Sequence, residues 1–257
     1  MPAPILYCGD TNLNGAASYL AGLMTHFGWA FDYVPSHLDL KLTDVAARKL
    51  FIFSDYPSAR VSEDLQRVIV AAVAAGAGFV MIGGWESFHG MGGDWDGTPV
   101  GDILPVEISD CDDRVNSCHT ALLGPRIDFD NLWELPWECP PSIGGWNSFE
   151  VKENFDATVM LEISPLTPYR VYDPDAGGYV LSWDDEESPY PALVVSEHSK
   201  GMVAAFASDV APHWVGGFVD WGPERVKAQA AGASAIEVGS DYAQFWKQLL
   251  SWVGRLE

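Results

Sequence analysis

The stretch Ser62–Ser87, SEDLQRVIVAAVAAGAGFVMIGGWES, carries the reading that decides the fold. Leu65, Val68, Ile69, Ala72 and Val73 recur at spacings of three and four, which is the apolar stripe of an amphipathic helix. The helix begins near Ser62, and Gly76 ends it. Gly78–Ile82 (GFVMI) follows as an unbroken apolar run, the mark of a parallel strand covered on both faces. It runs straight into Gly83-Gly84.

Working outward from there, the same alternation appears upstream. Pro4–Cys8 (PILYC) reads as a first strand ending at Gly9-Asp10. Ala17, Leu20, Leu23, Met24 and Phe27 line one helical face, with Asn14 placed to cap its start and Gly28 its end. Ala30–Val34 reads as a second strand, and Leu50–Phe53 (LFIF) as a third that stops at Ser54-Asp55-Tyr56-Pro57. Strands alternating with helices predict an α/β fold, a mostly parallel sheet with helices on both faces. In such sheets ligands lie at the carboxyl ends of the strands. Three such ends carry polar residues: Cys8-Gly9-Asp10, Ser54-Asp55-Tyr56 and Gly83-Gly84-Trp85-Glu86-Ser87.

Downstream the pattern loosens. Met91–Gly101 reads as a long glycine-rich loop, and long ordered loops tend to be functional. Strands are expected at Ile103–Ile108, Thr158–Ile163, Tyr179–Trp183, Ala192–Ser196 and Met202–Ala207, with an acidic turn at Asp184–Ser188 between the third and fourth of these. Cys111–Pro141 yields no element. Ser240–Val253 reads as a closing amphipathic helix capped by Ser240. With no internal repeat and no clean linker, residues 1–257 are expected to form a single domain with inserted loops in its C-terminal half.

Composition narrows the function. The chain has 257 residues, 48% of them hydrophobic, and eleven tryptophans, enough to build a core without disulfides or metals. Fourteen basic against 36 acidic residues give a formal charge of -22, which repels phosphate backbones and anionic lipid. Nucleic acid and membrane are therefore not expected partners. The start, Met-Pro-Ala-Pro, lacks the basic and apolar blocks of a signal peptide, so a cytoplasmic protein is expected. Its partner would be a small-molecule ligand, and self-association into a homo-oligomer stays open. The four cysteines, Cys8, Cys111, Cys118 and Cys139, show no C-x-x-C spacing and read as buried or incidental thiols, with Cys8, which closes the first strand beside the strand-end crevice, kept as an alternative nucleophile.

The runs Ala74–Gly90 (AAGAGFVMIGGWESFHG), Thr98–Glu107 (TPVGDILPVE), Gly201–Trp214 (GMVAAFASDVAPHW) and Tyr242–Val253 (YAQFWKQLLSWV) resemble the bacterial "putative glutamine amidotransferase" group. This group belongs to the class I glutamine amidotransferase-like superfamily, with ThuA-like proteins as neighbours. The resemblance covers nearly the whole chain and implies a flavodoxin-like, doubly wound sheet. It also implies a nucleophilic cysteine in a G-x-C-x-G turn after the central strand, where strain and a helix N-terminus activate the thiol. Here that turn reads Gly83-Gly84-Trp85-Glu86-Ser87 and contains no cysteine. The His-Pro-Glu that would orient the thiol is also missing; Asp209-Val210-Ala211-Pro212-His213-Trp214 stands roughly where it would fall. The acyl-enzyme route of a glutaminase is therefore closed.

Other residues take over as candidates. Glu86 suits a general base or a sugar-hydroxyl acceptor, against the plainer role of an acid at a helix start. Asp209 and His213 form a second acid–base candidate, against a turn cap and a ring stacked on Trp214. Asp10, Asp55, Gly84, Trp85, Ser87 and His89 are expected to contact ligand. Ser87 lacks the G-x-S-x-G spacing of an esterase elbow, and Asp94-Trp95-Asp96-Gly97 lacks the spacing of a calcium loop. No H-x-H, H-E-x-x-H or comparable local spacing appears, so neither metal nor cofactor is assigned, although Asp10, Asp55, His89 and His119 are possible metal partners. Asp10, Asp55 and Glu86 are expected to gather at one edge, completed by Asp209 and His213. Acids held together there suggest a cation, a donor-rich ligand such as a polyol, or a raised pKa on one of them. The groups Trp133/Trp137/Trp146 and Trp214/Trp221 suit a sugar platform, although core or subunit interface is the favoured reading. The two functions in view are a hydrolase or lyase for a small polar, carbohydrate-like substrate, and a non-catalytic binding or assembly protein on the same scaffold.

Overall fold

The strands Ile5–Gly9, Leu50–Ser54 and Gly78–Ile82 are buried at every residue, which is why the apolar runs show no alternation. The computed structural model describes residues 2–126, 132–184 and 188–256. Along the chain it runs β1 (Ile5–Gly9), α1 (Ser18–His26), β2 (Phe31–Val34), α2 (Leu42–Val45), β3 (Leu50–Ser54), α3 (Glu63–Ala74), β4 (Gly78–Ile82) and α4 (Pro99–Ile103). Next come β5 (Val106–Glu107), β6 (Arg114–Pro125), β7 (Ser142–Asn147), β8 (Glu150–Val151), β9 (Ala157–Pro165), β10 (Thr167–Asp173) and β11 (Gly178–Asp184). The chain closes with β12 (Tyr190–His198), β13 (Gly201–Phe206), α5 (Pro212–Val219), β14 (Arg225–Ala228), β15 (Ile236–Gly239) and α6 (Ser240–Gly254).

Among the described residues the main sheet has nine strands in the order β2-β1-β3-β4-β13-β12-β9-β6-β7. The pairs from β2 to β13 are parallel and those from β13 to β7 antiparallel, so the sheet is mixed rather than mostly parallel. Helices cover both faces of the parallel half. Gly78 backs directly onto Val253 of α6, and Phe206 packs edge-on against Trp246. On the other face, Gly201 lies against Val73 of α3 and Phe53 meets Trp95.

Several local expectations shift. Ser62 caps α3, its Oγ accepting from the Leu65 N–H. Asn14 does not cap α1, which starts at Ser18 with Ala17 as its N-cap, and Ser240 is the first residue of α6 rather than its cap. The expected strand at Ile103–Ile108 is the end of α4 followed by the two-residue β5. The segment without an element, Cys111–Pro141, contains the twelve-residue β6. Tyr179–Trp183 lies in β11, which pairs with β10, and residues 185–187 of the acidic turn lie outside the described residues. The tryptophan groups are mainly core: Trp137, Trp146, Trp214 and Trp221 are buried. Among the described residues no helix is long and apolar enough to cross a membrane.

Candidate functional site

Strand register builds the site. Gly9 pairs with Ser54, Ser54 with Ile82, and Ile82 with Phe206, so four parallel strands end at one level. The chain leaves that edge through Asp10, Asp55, Gly83 and Ala207, with Asp209 two residues further on. Asp10 and Asp55 take left-handed backbone conformations (φ 50° and 48°), which aspartate tolerates better than most side chains. One carboxylate oxygen each of Asp10, Asp55 and Asp209 lies within 4.8 Å of the other two. Asp10 and Asp209 are buried and Asp55 is half-buried.

Each carboxylate is aimed by its neighbours. The buried Tyr7 hydroxyl donates to Asp10 Oδ2. Asp55 Oδ1 accepts the Glu86 N–H at 2.7 Å. Asp209 Oδ1 accepts the Val210 N–H at 2.5 Å and the Ala211 N–H at 3.3 Å, so the turn-cap role holds as well. Gly84 (φ 154°) is needed here because a Cβ at that position would stand 2.2 Å from Asp55 Oδ1. Gly9 (φ 128°) is needed for the same kind of reason, since its Cβ would fall on the Ser54 carbonyl.

Crowding three acids out of water favours their neutral forms. Burial, then the charges of Asp55 and Asp209, hold the Asp10 carboxyl well above its ordinary range. Burial and the charge of Asp209 push Asp55 up to about 7, and burial pushes Asp209 up to about 6. None of the three is in an ion pair among the described residues.

The structure gathers some of the expected residues and separates others. Glu86 contributes its backbone N–H to Asp55, while its half-buried carboxylate lies outside the group of three. Ser87 is buried, and its Oγ accepts the Asp55 N–H at 2.9 Å. Trp85 is 40% exposed at the rim. Its ring lies 4.4 Å from the Arg114 guanidinium and 6.0 Å from the exposed His213 ring, which therefore faces Trp85. His89 turns to the acidic loop, with Nδ1 2.8 Å from Asp96 and Nε2 3.8 Å from Asp94. Burial alone would lower its pKa, but the hydrogen bond and charge of Asp96 outweigh that and raise it. Cys8 is fully buried in β1, and burial raises its thiol well above the ordinary value, so it is no nucleophile as it stands.

Sequence reading missed the supports. Asn147 is fully buried at the end of β7; its Oδ1 accepts the Gly84 N–H at 2.8 Å and its Nδ2 donates to Asp113 Oδ1 at 2.7 Å. Asp113 also accepts the N–H groups of Gly90 and His89 and so pins the loop after β4. Tyr7 carried the one available signal, a hydroxyl in a wholly apolar strand three residues before Asp10.

Comparisons place this architecture. The family model described as "Putative glutamine amidotransferase" matches residues 37–227. No curated protein matches the chain. Among solved structures it is similar to a cytoplasmic protein of Salmonella typhimurium LT2, at 23% identity and a TM-score of 0.70 over 97% of this chain and 98% of that one. A second cytoplasmic protein of Salmonella typhimurium aligns at 20% identity and a TM-score of 0.69, again over 97% and 98%. A β-galactosidase from Rahnella sp. R3 aligns at 14% identity and a TM-score of 0.51, over 100% of this chain but 32% of that one. These likenesses speak for the fold alone, whereas the family model spans most of the sequence, and on it this chain belongs to the putative glutamine amidotransferase family.

Proposed function

We propose that this protein is a hydrolase or lyase without thiol chemistry, acting on a small polar, carbohydrate-like substrate at the strand-end crevice. The observation that carries the reading is the convergence of Asp10, Asp55 and Asp209, three mutually close acids with raised pKa values. Near neutral pH such a set holds both a protonated and an ionised carboxyl, the two halves of general acid–base catalysis. The acceptor-rich floor suits hydroxyl-bearing substrates, and Trp85 offers an exposed ring at the rim. The parallel strands, ordered β2-β1-β3-β4-β13, support a flavodoxin-like, doubly wound core whose ligand edge is this one. A cytoplasmic location fits the reading. The turn where a glutaminase would carry its cysteine instead fixes Asp55 through Ser87 and Glu86.

A second reading, an assembly protein on the same scaffold, draws on the β10–β11 ribbon. Its exposed Tyr172, Tyr179, Leu181 and Trp183 form an unusually apolar surface.

Screening sugars, acylated sugars, sugar acids and amides against the purified chain by ligand-observed NMR, then assaying turnover of each binder, tests the enzymatic reading. Asp209→Asn is expected to abolish turnover. Glu86→Gln, beside Asp55, is expected to weaken binding or turnover at least about tenfold, roughly 1.4 kcal/mol, with folding nearly intact. A panel without a binder, or a substrate that Asp209→Asn handles as well as the parent does, overturns the reading.

A further inference from the structure

Buried acceptors are nearly always satisfied, and one left bare costs on the order of 1–3 kcal/mol. Asp10 Oδ1 and Ser54 Oγ are both buried and both lack a hydrogen-bond partner. They are neighbours in space as well. Gly9 pairs with Ser54 across β1 and β3, the Asp10 N–H bonds the Ser54 carbonyl at 3.0 Å, and the Ser54 hydroxyl approaches the Asp10 carboxyl closely enough to lower its pKa without reaching full hydrogen-bond geometry. Ser54 carries no charge and is not one of the acids, so its orphaned hydroxyl is a second, separate sign that something is missing at this point.

The geometry points to a divalent-cation site of the oxygen-preferring class, Mg²⁺, Mn²⁺ or Ca²⁺, held by Asp10, Asp55 and Asp209 with the Ser54 hydroxyl beside them. The donor set contains only oxygen, which selects hard cations over zinc or copper. One oxygen of each of the three carboxylates lies within 4.8 Å of the other two, so a single ion can be shared among them with small side-chain adjustments. The outer contacts are those of a prepared site: Tyr7 fixes one oxygen of Asp10, backbone N–H groups fix one oxygen each of Asp55 and Asp209, and Gly84 lets the backbone approach Asp55 closely. Such second contacts orient the ligands before the ion arrives. A water molecule would satisfy the orphaned atoms too, and the Mn²⁺ titration below separates the two.

This rests on reading the strand-end crevice as the functional site, and it adds a group that positions and polarises a substrate oxygen there. The ion is measured without any substrate, so the two ideas fail separately. The full-length chain, stripped with EDTA and returned to 150 mM salt, would be titrated with Mn²⁺ and followed by electron paramagnetic resonance, with Mg²⁺ and Ca²⁺ as competitors. One saturable Mn²⁺ per chain, displaced by one of the competitors, is expected. Asp10→Asn should weaken it at least about tenfold, Ser54→Ala by a smaller factor, and Asp94→Asn, in the acidic loop around His89, should leave it unchanged. Near-equal circular dichroism spectra of parent and variants would exclude misfolding as the cause, and Asp55→Asn provides a second ligand variant if Asp10→Asn fails to fold. No saturable binding at millimolar Mn²⁺, many weak ions per chain, or undiminished binding in every folded ligand variant would overturn the proposal.

Discussion

At the scale of single residues, Asp55 shows how the site is held at a cost to the fold. Burial first, and then the negative charge of Asp209, raise its pKa from the ordinary carboxyl value to about 7. The folded chain therefore binds more protons than the unfolded chain between about pH 4 and 7, and linkage makes stability fall as pH rises through that window. Asp55→Asn keeps the shape and removes the ionisation. In EDTA the variant is expected to melt several degrees above the parent at pH 8, corresponding to about 1–3 kcal/mol, with the gap closing towards pH 4. Melting curves of both proteins across pH 4–8 check this. A gap independent of pH, or a variant less stable at pH 8, would show that the carboxylate is solvated or paired after all.

At the scale of elements, the loop after β4 depends on a strand far away in sequence. Asn147, at the end of β7, bridges the Gly84 N–H and Asp113. Removing its side chain in Asn147→Ala strands a buried donor and frees a loop-holding acid. A loss of about 2 kcal/mol and faster amide exchange at Gly84 and Glu86 are expected, seen by thermal melting and hydrogen exchange. Parent-like protection of those amides would mean that the bridge is dispensable. The same element shows what the sequence could and could not reveal. Strands β1, β3 and β4 were legible because double burial makes them continuous apolar runs, and their polar ends pointed to Asp10 and Asp55. Strand β6 was illegible because its first half, Arg114–Thr120, is mostly exposed and carries Asn, Ser, His and Thr without alternation. Strand β10 is largely exposed for the same reason. Asp209 is expected from the sequence to leave a later strand at the same edge as Asp10 and Asp55; the pairing of β13 with β4 that brings it there spans more than a hundred residues, and no local pattern encodes that pairing.

At the scale of the whole molecule, charge outweighs every other feature of the surface. Of the 14 basic residues, several are already engaged: Arg48 with Asp32, Arg60 with Asp39, Arg67 with Glu63, Arg114 with Asp112, and Arg225 with Asp220 and Glu237. Apart from Arg48, whose side chain is buried, these are exposed or half-exposed pairs that contribute little individually, yet they turn the basic groups inward onto the chain's own acids. The remaining excess of 22 negative charges repels itself and destabilises the compact state. Salt should relieve that repulsion, because the screening length falls from about 30 Å at 0.01 M to about 3 Å at 1 M. The melting temperature is therefore expected to climb as sodium chloride is raised over that range, with the few surface ion pairs too weak to reverse the trend. The same field bears on partners. Affinity for a duplex comes mainly from counterions released by lysines and arginines, and here many of those side chains already face carboxylates. Fluorescence anisotropy of a labelled 20-base-pair duplex should stay flat at micromolar protein in both 20 mM and 150 mM salt. Binding at 20 mM that fades by 150 mM would reveal a basic patch strong enough to overcome the net field, and a melting temperature that falls with salt would show that ion pairing, not self-repulsion, governs the stability of this surface.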